Sequence, residues 1–309
     1  MRVSATSRPD LYWALRGGGN NFGIVYRFNL RTFPFGGEMW AGTRTHTEDQ
    51  FPAIYQAFTN TIDNTADDLH ANFYLVWVSA GGARLAIPAM WHESLDGSEA
   101  PSFAEWNAIP AVSDDTRVRN VVEWGKESGE GGLTGVRQVF YMMTVKSDPE
   151  VHQFAIEKYF ELADAVTGGI NGFAGNIVTQ GINVPQMEQM KKNGGNALGL
   201  DPEEGARYIV HICLSWSDEA DDDTVYSLAS DVLKATKAES ISKGARSEYI
   251  YMNYASTFQD VFSSYGEANK AKLQKIAKKY DPQEVFQKLQ PGYFKLKGAP
   301  TPGTDYYSH

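Results

Sequence analysis

The chain has 309 residues, 42% of them hydrophobic and 13% aromatic, enough for one large domain or two ordinary ones, and this composition excludes collagen-like, coiled-coil and disordered chains. Twenty-eight Lys and Arg against 38 Asp and Glu leave a net charge of −10, which repels nucleic acid and acidic membrane surfaces. A single cysteine, Cys213, excludes an intrachain disulfide and any multi-cysteine metal site.

Ser7 caps a short helix that runs through Pro9 and Asp10 to Arg16 and stops at Gly17. Residues 24–32 place Ile24, Tyr26, Phe28 and Leu30 on one face and Arg27, Asn29 and Arg31 on the other, the pattern of a strand with one buried face. Pro34-Phe35-Gly36-Gly37 marks a domain boundary. A strand over 39–47 follows, then a helix whose Phe51, Ile54, Tyr55, Phe58 and Ile62 keep helical spacing. Residues 69–78 and 84–91 read as a hairpin turning at Gly81-Gly82. The stretch 93–133 reads as irregular, with Gly125 to Gly132 as a mobile surface loop.

Strands are expected at 138–146, 172–179, 207–216 and 249–254. Helices are expected at 148–166, within 186–200, from Ser217 to Lys237, and at 267–279, the last a basic helix stopped by Asp281-Pro282. Few two-residue hairpins and many helical crossovers point to an α+β sheet with helices on one face.

Gly17-Gly18-Gly19-Asn20-Asn21-Phe22-Gly23 is either a turn joining two elements or a ligand loop whose N–H groups meet an anion. It is not a dinucleotide fingerprint, because Phe22 stands where a glycine is required and the order is helix to strand. The six histidines, His46, His70, His92, His152, His211 and His309, show no metal-ligand spacing. On strand 207–216, Ile209, His211, Cys213 and Ser215 share one face, where His211 is either a proton-transfer group of a cavity or a hydrogen-bonded core histidine under a helix. Gln138, Tyr141 and Thr144 on the preceding strand are similar candidates. Lys270, Lys272, Lys275, Lys278 and Lys279 read as a solvated helix face. No run approaches the roughly 18 apolar residues of a membrane span, and the N-terminus has no apolar signal-peptide core, so the compartment is open.

The string from Ser4 to Val25, centred on Leu11-Tyr12-Trp13-Ala14-Leu15-Arg16-Gly17-Gly18-Gly19-Asn20-Asn21-Phe22-Gly23, resembles the closing segment of the flavin domain in fungal berberine bridge enzyme-like FAD-linked oxidases of the vanillyl-alcohol oxidase superfamily. The resemblance continues through Lys192-Asn193-Gly194-Gly195-Asn196-Ala197-Leu198-Gly199-Leu200, Leu214-Ser215-Trp216, Tyr251-Met252-Asn253-Tyr254, Tyr280-Asp281-Pro282 and Val285-Phe286. It implies a large antiparallel sheet backed by helices, the substrate domain, plus the rear fragment of a PCMH-type FAD-binding domain. The chain then divides into 1–36 in the flavin domain, 37–248 in the substrate domain, 249–298 returning to the flavin, and a tail over 299–309.

The same resemblance implies FAD beside Gly17, Gly18, Gly19, Asn20, Asn21, Phe22 and Gly23, with Asn253 touching it and Tyr251 facing a small organic substrate as catalytic base. It implies O2 as electron acceptor. Members of the group carry a further front part of the flavin domain whose His, often with a Cys, bonds the flavin covalently; the expectation is that this chain starts after that part, since no residue here, Cys213 included, matches them. Two other readings stay open: a flavin-free remnant that is inert or performs a proton-driven isomerisation or cyclisation through Tyr251 and His211, and a pure interaction module with an exposed apolar patch. For the truncated case, residues 1–36 are expected to be loosely held and the chain prone to self-association.

Overall fold

The structure, a computed structural model, describes residues 1–80, 82–129, 134–290 and 293–301. Its centre is one antiparallel sheet. Ten-residue runs rich in β-branched and aromatic residues form β1 (Glu38–Thr47), β2 (Ala71–Ala80), β3 (Ala83–His92), β6 (Arg137–Lys146) and β8 (Arg207–Trp216), with β7 spanning Ala174–Ile182. Two short strands, β4 (Ser113–Asp114) and β5 (Arg117–Asn120), pair with β1 at one edge. The order is β4-β1-β3-β2-β7-β8-β6, so β6 is the opposite edge. The expected hairpin is present as β2 and β3, with Ala80 opposite Ala83; Gly81 lies outside the described residues.

One face of the sheet carries the long helices α2 (Phe51–Asp63), α5 (Pro149–Thr167) and α7 (Asp222–Ser242). Asp148 caps α5 by accepting the N–H groups of Glu150 and Val151. Between sheet and helices lies the main core, with Trp77, Trp216, Tyr141, Tyr159, Phe58 and Phe160 buried, each worth roughly 1.5–3 kcal/mol. Shorter helices complete the chain: α1 (Pro9–Leu15), α3 (Ala104–Ala108), α4 (Val121–Gly129), α6 (Val184–Lys191), α8 (Glu267–Tyr280) and α9 (Val285–Lys288). No helix among the described residues is long and apolar enough to cross a membrane.

Several expectations are corrected. Residues 24–32 form no strand: Ile24, Tyr26, Phe28 and Leu30 are 74–88% exposed on an arm outside the sheet, because an alternating segment becomes a strand only where a neighbouring edge accepts its hydrogen bonds. Residues 249–254 also leave the sheet, turning at Tyr251 to Tyr254, whose N–H donates to the Tyr251 carbonyl at 3.0 Å. Ser7 does not cap α1; its N–H bonds back to Ser4, and Arg8 occupies the cap position in the left-handed region. The expected Gly125 to Gly132 loop is helical in α4 as far as Gly129, started by reciprocal bonds between Asn120 and Glu123; residues 130–132 lie outside the described residues, as does most of the tail.

A second, smaller core gathers distant segments. Leu11, Trp13 and Phe22 pack with Met187 and Ala197 and with Ile250, Phe262, Leu273 and Leu296. Met142, Ile182 and Ile209, from the sheet face without the long helices, belong to the same cluster. It therefore caps one end of that face and joins pieces assigned to three separate units by the sequence division.

Candidate active site

Cross-strand register shows what the uncovered part of that face presents. His211 of β8 stands opposite Met142 of β6 and Val178 of β7, and Cys213 stands opposite Phe140 and Asn176. Side chains directly opposite in an antiparallel pair lie on one face, so Phe140, Met142, Asn176, Val178, Gln180, His211 and Cys213 share it. Val76 and Val78 of β2 and Ile87 and Leu85 of β3 extend it. It ends near Trp91, whose ring meets that of Trp124 on α4 at 6.5 Å, and Arg119, which pairs with Glu127. Between that ion pair and β6, the register also places Arg207 on this face, at the far end of β8, where it is buried and paired with Glu204.

Residues 249–259 cross this face. The Tyr254 ring stacks on the His211 imidazole at 4.3 Å with 2° between planes, and Phe140 meets the same imidazole edge-on at 4.6 Å. Tyr251 abuts Tyr254 at 4.9 Å, and its phenol oxygen accepts the Asn253 amide N–H at 2.8 Å. The phenol's own proton is thus directed away from Asn253. Tyr254 donates to Gln180 Oε1 at 3.4 Å.

Burial under Tyr254 lowers the His211 pKa to about 4, so the ring is neutral near pH 7. Burial pushes the Cys213 thiol, 3.5 Å from the His211 ring nitrogens, up to about 12. Burial likewise raises the Tyr254 phenol. His211 lies on the face without helices, covered by a loop, and not beneath a helix.

Of the other candidates, Gln138 stands exposed on this face opposite Ser215. Tyr141 points to the opposite, helix-covered side and is fully buried, so it does not join the group. Thr144 is buried and donates to the Tyr249 carbonyl at 2.7 Å. Phe140, Gln180 and Gln259 were missed. Strand alternation was enough to find Phe140; Gln180 required the pairing partner of β8, and Gln259 required the fold.

The glycine loop is built against the chain's own C-terminal segments. A Cβ on Gly17, at φ +112°, would lie 2.5 Å from Leu198, and one on Gly18 would lie 2.2 Å from the Ala14 carbonyl. Asn21, fully buried, donates to the carbonyls of Gly18 (2.8 Å) and Phe294 (3.2 Å) and accepts from Gln287 (2.8 Å); Phe22 is buried beside it. Lys295 reaches Asn20 Oδ1 at 3.0 Å, and the Arg16 guanidinium bonds the carbonyls of Met190, Lys192 and Gly195.

Internal packing therefore accounts for Gly17, Gly18, Asn21 and Phe22. Gly19 is exposed, with a built Cβ 3.2 Å from Met252, and Gly23 has nothing within 4 Å of such an atom. The outer half of the loop, Gly19 and Gly23, is thus left open on the side of Met252, next in sequence to the exposed Asn253, while the inner half is packed. A separate cavity of about 560 Å³ opens beside α2 and α6, lined by Asn60, Asp68, Asn72, Glu105, Gln186 and Gln189, and holds none of these residues.

Comparison with known proteins adds relatives. Residues 250–291, which contain the Tyr251 to Tyr254 turn and Gln259, match the family described as "Berberine and berberine like". The chain is 30% identical over 308 residues to the FAD-dependent monooxygenase FUP4 of Fusarium proliferatum, covering 95% of this chain and 59% of that protein. It is 31% identical to the FAD-dependent monooxygenase sdcF of Emericella nidulans, covering 96% and 63%. It thus spans less than two thirds of the length of these curated relatives. The fold is shared with 6-hydroxy-D-nicotine oxidase of Arthrobacter nicotinovorans, at TM-score 0.69 and 19% identity over 93% of this chain and 61% of that one. It is shared too with xylooligosaccharide oxidase of Myceliophthora thermophila, at TM-score 0.69 and 18% identity over 98% and 63%.

Proposed function

We propose, from the premise that this chain belongs to the berberine bridge enzyme-like family, that it forms the substrate-facing wall of an FAD-linked oxidoreductase acting on a small, uncharged organic molecule. The observation that carries this reading is that Gly19 meets Met252, between Tyr251 and Asn253, at the rim of a sheet face whose part around His211 presents apolar and amide side chains, with Arg207 buried at its far end.

The residues that would hold the flavin edge are Gly19, Gly23 and Asn253, with Asn20 beside them. The chemistry such a flavin supplies is acceptance of a hydride from a substrate carbon. The chain's own part is proton handling and orientation. With its own proton released to solvent, Tyr251 Oη takes the substrate hydroxyl proton as a phenolate and becomes the neutral phenol, and the Asn253 N–H donated to that oxygen is a hydrogen bond the phenolate keeps before the transfer. Gln180 and Asn176 offer amides to substrate polar groups, Phe140 and Val178 supply apolar surface, and neutral His211 keeps the floor uncharged. O2 is the electron acceptor that family resemblance implies.

A flavin-free isomerisation through His211 is disfavoured by the same geometry, because a ring held at about 4 beneath Tyr254 is a weak base near neutral pH. The test is the 300–550 nm absorbance and the fluorescence of FAD titrated with the chain. Perturbed flavin bands that weaken in Asn253→Ala, together with substrate oxidation lost in Tyr251→Phe, are the expected results. No perturbation at about 1 mM FAD, where binding is worth only about 4 kcal/mol, overturns the reading.

A further inference from the structure

Gln259 is fully buried, and its side chain is bonded to the edge strand. Its Oε1 accepts the Met142 N–H at 3.3 Å and its Nε2 donates to the Met142 carbonyl at 2.7 Å. A primary amide offers donor and acceptor side by side, as a peptide group does, so Gln259 satisfies on β6 what a neighbouring strand would satisfy. Its Oε1 also accepts the Ser256 N–H at 3.0 Å, which fixes the turn between them. At the other end of the segment, the Tyr251 N–H donates to Met142 Sδ at 3.2 Å.

Residues 251 and 259 are thus both fastened to one residue, and that residue is the cross-strand partner of His211. The loop between the two attachments carries Tyr254, which lies flat on His211. Its position follows from those two attachments together with the bond from Tyr254 to Gln180.

We propose that Gln259, with Met142, is a positioning residue of this active site: its amide clamps the segment carrying Tyr251, Asn253 and Tyr254 onto β6, so that Tyr254 seals His211 and Tyr251 is aimed across the open face. This deepens the functional reading above and rests on it for the roles of Tyr251 and Asn253, whereas the clamp itself is read from His211. The titratable groups facing His211 are the Cys213 thiol and the Tyr254 phenol, both shifted towards their neutral forms, so removing the cover changes chiefly the burial of the ring.

The experiment is NMR of the His211 ring in the full chain and in Gln259→Leu, Gln259→Glu and Met142→Leu, with backbone amide dispersion reporting the fold. In the parent, the stacked Tyr254 shifts the His211 ring protons upfield and the ring titrates near 4. Gln259→Leu is expected to abolish the upfield shift and move the titration up by about two units towards the ordinary histidine value. Gln259→Glu, which keeps the acceptor and loses the donor, and Met142→Leu, which loses only the sulfur attachment, are each expected to give a partial move; these two variants decide the matter if Gln259→Leu does not fold.

Folded variants with an unmoved His211 shift and titration overturn the proposal. Tyr251→Phe serves as the contrast, ending substrate oxidation with the His211 signals in place. If flavin binding fails while the Gln259 variants still release Tyr254, the functional reading falls and the clamp stands.

Discussion

His152 of α5 is enclosed by aromatic rings, stacked on Phe58 at 4.2 Å and flanked by Tyr55, Trp77 and Tyr208, with Nε2 3.1 Å from the Thr179 hydroxyl. Burial lowers its pKa to about 3. The ordinary value in an unfolded chain is about 6.5, so between these values the unfolded chain holds a proton that the folded chain lacks. Stability is complete above pH 6.5 and falls as the pH drops through that window, by about 1.4 kcal/mol per unit for this one group. His211 and His46, also lowered by burial, act in the same direction. Urea unfolding between about pH 6 and 4.5 is expected to show a shallower pH slope in His152→Gln, by up to one proton; equal slopes would sink the argument.

Gly18 makes a second single-residue case. Gly18→Ala places a methyl against the Ala14 carbonyl and the Phe22 ring, with an expected loss of about 2 kcal/mol or more, while Gly36→Ala, with open space around it, is expected to be close to neutral in the same melts. At this scale the sequence revealed little. The four glycines of the loop look equivalent as letters, and only the positions of Leu198, Ala14 and Met252 divide them into packed and open.

Among the elements, the helices and the long strands were legible because their periodicity is local. The failures have a common cause in pairing. Residues 24–32 have a strand's alternation but no edge to pair with among the described residues, and residues 249–254 meet β6 through single attachments at Thr144 and Met142. Helix α4 was hidden by its glycines; Asn120 and Glu123 start it, and Glu127 holds it to Arg119 and Arg117. The arm gives a direct prediction: limited tryptic digestion is expected to cut first at Arg27 and Arg31, which are exposed outside any helix or strand. First cuts within the β2–β3 pair would contradict it.

For the whole molecule, the one-sided sheet was legible from the succession of elements, and the site was not, because it is made by register. His211, Met142 and Val178 are neighbours only once β6, β7 and β8 are paired. The division at residues 36 and 248 also hid a shared core, in which the loop after α1 packs against segments near 190 and 290. Native-state hydrogen exchange is expected to rank the β7 and β8 amides as slowest and the Tyr251 and Gln259 amides as markedly faster, since the latter segment is fastened at few points. Equal protection would mean that the two cores open as one unit.

The second core carries a consequence for the order of events during synthesis. Lys279 pairs with Asp10 across 269 residues, and Asn21 meets Phe294 across 273. The sheet and its long helices can form while the ribosome is still translating, but the glycine loop has no stable shape until residues near 296 have emerged. The nascent chain therefore passes through an interval in which the floor of the site exists without its rim, with the apolar face of β6, β7 and β8 and the arm at 24–35 uncovered together. Self-association during expression should concentrate in that interval, and a slower elongation rate over the final 60 or so residues should increase it.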